Sequence, residues 1–214
     1  MENIEHVASR VREYLQDNPE LWKSLDLGIV NLSALSRLIM KDLELESFDA
    51  VMGALKRIPV SGISMNTYRN ILKKSKIESR TDISVLILKP TTENLKLLIE
   101  LTKNLTENYS DYRIIQATQG YGIVVGDELL EKISRFIPKT EIISKSTGLG
   151  EIIIVSSNSI LSIKGYVSYA SGLLSNRGIN ILQIVSFFTD ITFILQPGDL
   201  LSALDIFLSV KRGK

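Results

Sequence analysis

The side chains that most often do chemistry are scarce in this chain. Cysteine is absent and histidine occurs once, as His6. That removes thiolate nucleophiles, disulfides and Cys-ligated metals, and leaves one imidazole for any acid–base role. His6 sits in a helical pattern with no Ser or Asp partner at useful spacing, so a surface or capping histidine is expected. Gly120-Tyr121-Gly122 with Gly126 has the outline of a dinucleotide loop, but it lies between two β-rich runs and opens no strand-to-helix turn. A β-hairpin accounts for it better. Gly148-Leu149-Gly150 reads as a joint. No phosphate loop ending in Gly-Lys-Ser/Thr occurs, and no pair of carboxylates is set in an acid–base motif. The expectation is a protein that is not an enzyme and carries no cofactor or metal.

One stretch concentrates charge. Between Lys56 and Arg80 the basic residues Lys56, Arg57, Arg69, Lys73, Lys74, Lys76 and Arg80 are opposed by Glu78 alone. Clustered cations beside a groove-entering helix would bind phosphate, which makes Lys56, Arg57, Arg69, Lys73, Lys74 and Lys76 candidate nucleic-acid contacts. The alternative is a solvated helix face and linker. Glu44, Glu46 and Asp49 precede the stretch, where they would repel a DNA backbone but suit the positive end of a helix dipole.

The whole chain is otherwise ordinary. Its 214 residues are 44% hydrophobic and 23% charged with net charge +1, which excludes wholesale disorder and a general polyanion binder. No apolar run reaches the roughly 18 residues of a membrane span, and the first residues lack a signal peptide's basic start and apolar core. A cytoplasmic location without membrane contact is expected.

The elements that must position any site come in two kinds. Up to about residue 80 the periodicity is helical. Ile4, Val7, Val11 and Leu15 form one stripe, Asn18-Pro19 starts a second helix, Asn31 caps a third bearing Leu32, Leu35 and Ile39, and Ser47 caps a fourth bearing Phe48, Val51, Met52 and Leu55. The short break at Leu43 to Glu46 gives a helix-turn-helix outline; a bundle that only packs or dimerises fits the pattern equally.

From Asp82 the period switches. Ile83 to Leu88 reads as a strand, Thr91 to Asn108 as a helix, Tyr112 to Thr118 and Gly122 to Val125 as paired strands, Asp127 to Ile137 as a helix, and Thr140 to Ser146 as a fourth strand. Glu151 to Ser156, Ser159 to Arg177, Ile179 to Ile184, Ile191 to Leu195 and Leu200 to Phe207 repeat the order strand, helix, strand, strand, helix. Gly126-Asp127-Glu128-Leu129-Leu130 is echoed by Gly198-Asp199-Leu200-Leu201, with each Asp placed to cap its helix. Phe187 and Phe188 would divide between core and partner, or stack on bases. The fold class is α+β: a small helical, helix-turn-helix-like domain over residues 1–80, then two ferredoxin-like βαββα(β) units over residues 81–148 and 149–214. The second unit lacks a last strand, and an open edge invites pairing.

Gly178-Ile179-Asn180 after a helix, a hairpin through Thr189-Asp190-Ile191-Thr192-Phe193 and an Asp opening a short helix resemble the ACT domain, in particular the regulatory repeat of aspartokinases. The resemblance implies a non-catalytic regulatory protein whose ACT-type units pair, as a homodimer or within the chain, and bind an amino-acid effector. It places the ligand at Ser156, Ser157, Asn158 and Ser159, at Lys164, Gly165 and Tyr166, and at Asn180 and Ile181. A zwitterion needs N–H groups at a helix start for its carboxylate and oxygen atoms for its ammonium, and Gly165 permits close approach. Lys164 would attract an acid, and no acidic residue lies between Ile152 and Asn180 to take an ammonium. In the first unit Arg113 stands where Asn180 stands in the second. Ligand-responsive DNA binding and a regulatory or scaffold subunit acting by protein contact are the alternative functions.

Overall fold

The computed structural model describes residues 4–58, 65–105 and 112–213. The chain divides into two compact units, Met1–Ser64 and Met65–Lys214.

The first unit contains α1 (Ile4–Asp17), α2 (Pro19–Asp26), α3 (Leu32–Leu43) and α4 (Phe48–Arg57). Val7, Val11 and Leu15, one stripe of α1, are fully buried with Ile39 of α3 and Val51 of α4. The caps form as the residue types dictate: Asn31 Oδ1 accepts from the Ala34 N–H at 3.1 Å and Ser47 Oγ from the Ala50 N–H at 3.2 Å. Asn18 instead donates through its amide to the Tyr14 carbonyl at 2.7 Å. α3 ends on Glu44 in the left-handed region (φ 52°), which turns the chain sharply into α4.

The second unit runs α5 (Met65–Lys74), β1 (Lys76–Leu88), α6 (Thr92–Leu105), β2 (Arg113–Ala117), β3 (Gly120–Gly126), α7 (Asp127–Ser134), β4 (Ile142–Val155), α8 (Tyr166–Ser175), β5 (Ile181–Phe187), β6 (Asp190–Leu195) and α9 (Leu200–Arg212). The strands form one antiparallel sheet in the order β2-β3-β1-β4-β6-β5. Two long strands hold it together, β1 of 13 residues and β4 of 14. Ile83–Leu88 pairs with β3 on one side and the start of β4 on the other, while Lys76–Arg80 pairs with Glu151–Val155.

This pairing corrects two expectations. The last strand missing from the second half of the sequence is Lys76–Arg80, read from sequence as part of a basic linker. Among the described residues its other side pairs with no strand, and it carries charge at Lys76, Glu78 and Arg80 while Ile77 packs on the core. The helical domain expected to reach Arg80 therefore parts from α5 and this strand, which pack in the second unit. The Gly148 joint also does not end a strand: β4 passes through it with a left-handed kink (φ 66°).

The kink is held from the side. The Asp127 carboxylate accepts from the Gly148 N–H at 3.2 and 3.0 Å and from the Ser84 hydroxyl. Neither Asp127 nor Asp199 makes the helix-capping bond expected of it. Gly120 belongs to the β2–β3 hairpin, as expected, and any Cβ there would lie 2.4 Å from the Leu88 carbonyl oxygen.

Helices cover one face of each half of the sheet. α6 and α7 close over Leu86, Ile123 and Val125, whereas α5, α8 and α9 close over Ile152, Ile154, Ile191 and Phe193. The other faces curl toward each other around Ile83, Val85, Val124, Leu149 and Ile194. Burial from both sides explains why Ile152-Ile153-Ile154 is continuously apolar. Glu151 also lies in this inner layer, fully buried, with Arg113 of β2 at 2.5 Å and Arg80 of β1 at 3.8 Å. A buried carboxylate is tolerated only when so paired.

Among the described residues, no helix is long and apolar enough to cross a membrane and no group of three metal-ligating side chains occurs.

Candidate functional site at the end of β4

β4 leaves the sheet at Val155, and the Ser156 N–H donates to the Thr189 carbonyl at 3.0 Å. Ser157 and Ser159 share a 2.7 Å hydroxyl bond at the start of a short 3-10 turn, Asn158–Ser162. The chain then reaches Gly165, whose left-handed conformation (φ 78°) starts α8. That conformation disfavours any side chain with a Cβ, and the space is also limited. A Cβ on Gly165 would lie 3.0 Å from the Tyr68 hydroxyl.

Tyr68 comes from α5. Its hydroxyl donates to the Lys164 carbonyl at 2.8 Å, and its ring stacks on Tyr169 with centroids 5.1 Å apart. Tyr166, buried to 3% exposure, completes a three-ring cluster. Two turns further on, just past the end of α5, Ser75 Oγ lies 2.8 Å from Ser156 Oγ, and Tyr166 Oη is 3.4 Å from the same Ser156 atom. Lys211 of α9 donates to the Ser75 carbonyl. Burial pushes the Tyr169 phenol above its usual range, opposed by the positive charge of Arg69.

The structure thus brings together Ser156, Ser157, Asn158, Ser159, Lys164, Gly165 and Tyr166. Asn180 and Ile181 stand apart. Ile181 opposes Leu195, which in turn opposes Gly150, whereas the Ser156 loop begins beyond the Val155–Asp190 pair. Five residues of strand, about 17 Å, separate the two groups. A helix after the first strand must return the chain to the far end of the sheet before the second strand begins, so topology imposes the separation.

Sequence reasoning missed Tyr68, Ser75 and Tyr169. The available signal was the α5 stripe Tyr68, Ile71, Leu72 and Ser75, all on one helical face. Arg113 pairs with Glu151. Phe187 and Phe188, at 80% and 60% exposure, both lie outside the core, Phe187 as the last residue of β5 and Phe188 in the turn after it at φ 54°.

The basic residues do not line one helix. Lys56 and Arg57 are exposed on the last turn of α4, whereas Arg69, Lys73 and Lys74 are exposed on α5, which packs against the sheet in the other unit. Lys76 pairs with Glu78 at 2.5 Å and holds that carboxyl below its usual range.

The molecule is an α+β protein with a curled antiparallel sheet, outer helices and a serine-rich loop leading into a helix start. No family model matches the sequence and no curated protein does. Among solved structures, it is similar to the regulatory subunit of aspartate kinase from Thermus thermophilus in its ligand-free form, at 16% identity over 63% of this chain and 95% of that one, TM-score 0.49. It is also similar to a putative C-terminal regulatory domain of aspartate kinase from Porphyromonas gingivalis W83, at 16% identity over 64% and 96%, TM-score 0.47. In the Clostridium acetobutylicum aspartate kinase the match spans 34% of that chain and 63% of this one, at 13% identity and TM-score 0.49.

Proposed function

We propose that this protein is a non-catalytic regulator in which two ACT-type units, interleaved through β1 and β4, sense a small molecule at the β4–α8 loop. An amino acid is the ligand class that suits it. The free N–H groups at the start of α8 would take the carboxylate, the hydroxyl and carbonyl oxygens of Ser156 and Lys164 the ammonium, and the Lys164 side chain an acidic group. The observation that carries the reading is the seating of α5 on this loop through Tyr68 and Ser75. α5 follows the helical unit in the chain, so a ligand that changes its seating has a route to that unit. Asn180 and Ile181 would meet the loop only from a second copy, which makes the active form a homodimer.

The test is a thermal-shift titration of the full chain with the amino acids, together with its sedimentation behaviour. A ligand that binds only the folded state raises Tm as its concentration grows. The expected result is such a rise with one amino acid, reduced by Asn180→Ala and lost when the dimer dissociates. No response to any amino acid would remove the sensor role and leave a scaffold acting by protein contact.

A second reading rests on the tight α3–α4 turn at Glu44, with Lys56 and Arg57 exposed on α4. It makes the helical unit a helix-turn-helix DNA reader under ligand control. Duplex affinity should then fall steeply with salt and drop on Lys56→Glu and Arg57→Glu; salt-independent or absent binding overturns it.

A further inference from the structure

The inner faces of the two half-sheets leave a cleft of about 380 Å³ at the end where β4 begins and β6 ends. Its volume is in the range of small-molecule sites. Val85, Ile87, Leu149, Leu182 and Ile194 line it with apolar surface from β1, β4, β5 and β6. Polar lining comes from Ser144, Ser146 and Thr147 on β4 and from Gln183 and Gln196 at the β5 and β6 ends. None of these ten residues is charged, in a chain where 23% are.

That lining selects a chemistry. A free amino acid or a phosphate would find no counter-ion among these side chains. An uncharged ring loses little on entry and gains by covering the half-buried Ile87 and Leu182. Two glutamine amides, each carrying a donor pair and an acceptor, match the adjacent donor and acceptor on the edge of a heterocyclic amide, as amides do when they read adenine. The bulge at Leu182, where the β5 register shifts, turns Leu182 and Gln183 together toward the cleft.

We propose that this cleft is a second ligand site, separate from the β4–α8 loop, for an uncharged heteroaromatic compound of nucleobase size. Its ligand would touch both half-sheets across the Gly148 kink, because Ser144, Ser146 and Thr147 precede the kink and Leu149 follows it.

The experiment is saturation-transfer NMR and thermal-shift titration of the full chain with adenine, hypoxanthine, uracil and nicotinamide, with glutamate and lysine as charged controls. The expected result is saturable binding of at least one neutral ring. It should weaken about tenfold with Gln183→Ala or Gln196→Ala, the loss of one or two hydrogen bonds, and vanish with Ser146→Trp, which fills the cleft from its exposed rim. Near-UV circular dichroism checks that each variant is folded. The proposal is overturned if no neutral ring binds saturably, or if binding survives in folded Ser146→Trp and in both glutamine variants. Because the probes are neutral rings and the loop's are amino acids, either site can fail without the other.

Discussion

The Tyr68 hydroxyl donates a 2.8 Å hydrogen bond to the carbonyl oxygen of Lys164, across 96 residues of sequence. It makes α5 a cover for the loop that precedes α8, and Ser75 adds a second bond to the same loop.

Tyr68→Phe removes the bond but keeps the ring on Tyr169. The expected cost is about 0.5–1 kcal/mol, the net worth of a partly exposed hydrogen bond. Hydrogen exchange should quicken in α5 and leave α7 unchanged. Equal acceleration in both helices would mean that the bond supports the whole unit and not the seating of α5.

Gly165→Ala meets two obstacles, the left-handed backbone and the Tyr68 hydroxyl 3.0 Å from the new Cβ. The backbone term alone is about 1–2 kcal/mol. Urea denaturation of Gly165→Ala with and without Tyr68→Ala separates the two. The pair should couple, with the double variant less destabilised than the sum of the singles.

Arg113→Met strips fully buried Glu151 of its 2.5 Å ion pair and leaves Arg80 3.8 Å away. Removing one partner of a buried pair costs roughly 3–5 kcal/mol, and the surviving arginine should hold the loss near the lower end. Arg113→Met with Glu151→Met should recover most of it. A double variant as unstable as Arg113→Met would show that the loss comes from packing around Arg113 and not from the stranded charge.

In the helical unit, the Tyr14 hydroxyl lies 2.5 Å from Asp42 Oδ2, and that bond, with burial and the carboxylate's charge, pushes the phenol up to about 12. A pKa raised above the unfolded value of about 10 favours folding while the phenol is neutral. This contribution is fully present below pH 10 and is lost as pH rises toward 12. Phenolate absorbance should show the late titration, Asp42→Asn should bring it back toward 10, and the alkaline loss of stability should shrink in Tyr14→Phe.

Much of the fold was legible because its signals are local. The Asn31 and Ser47 caps, the stripe Val7, Val11 and Leu15, the hairpins and the repeated strand-helix order all depend on residues a few positions apart. Ser156 to Ser159 was legible as a loop for the same reason, a serine run after an apolar strand, whereas the helix expected from Ser159 begins at Tyr166, after Gly165.

By itself the sequence determined the four helices of the first unit and the repeated strand-helix order from Ile83 onward, since period and capping are properties of neighbouring residues. Tertiary structure alone decided that Lys76–Arg80 completes the second half of the sheet, that α5 covers the candidate loop, that Glu151 meets Arg113, and that Asn180 lies at the far end from Ser156. Each of these joins residues distant in the chain. Pairing partners and buried charges are chosen by which faces pack and which edges remain open, and a strand on an edge carries no apolar pattern to announce itself.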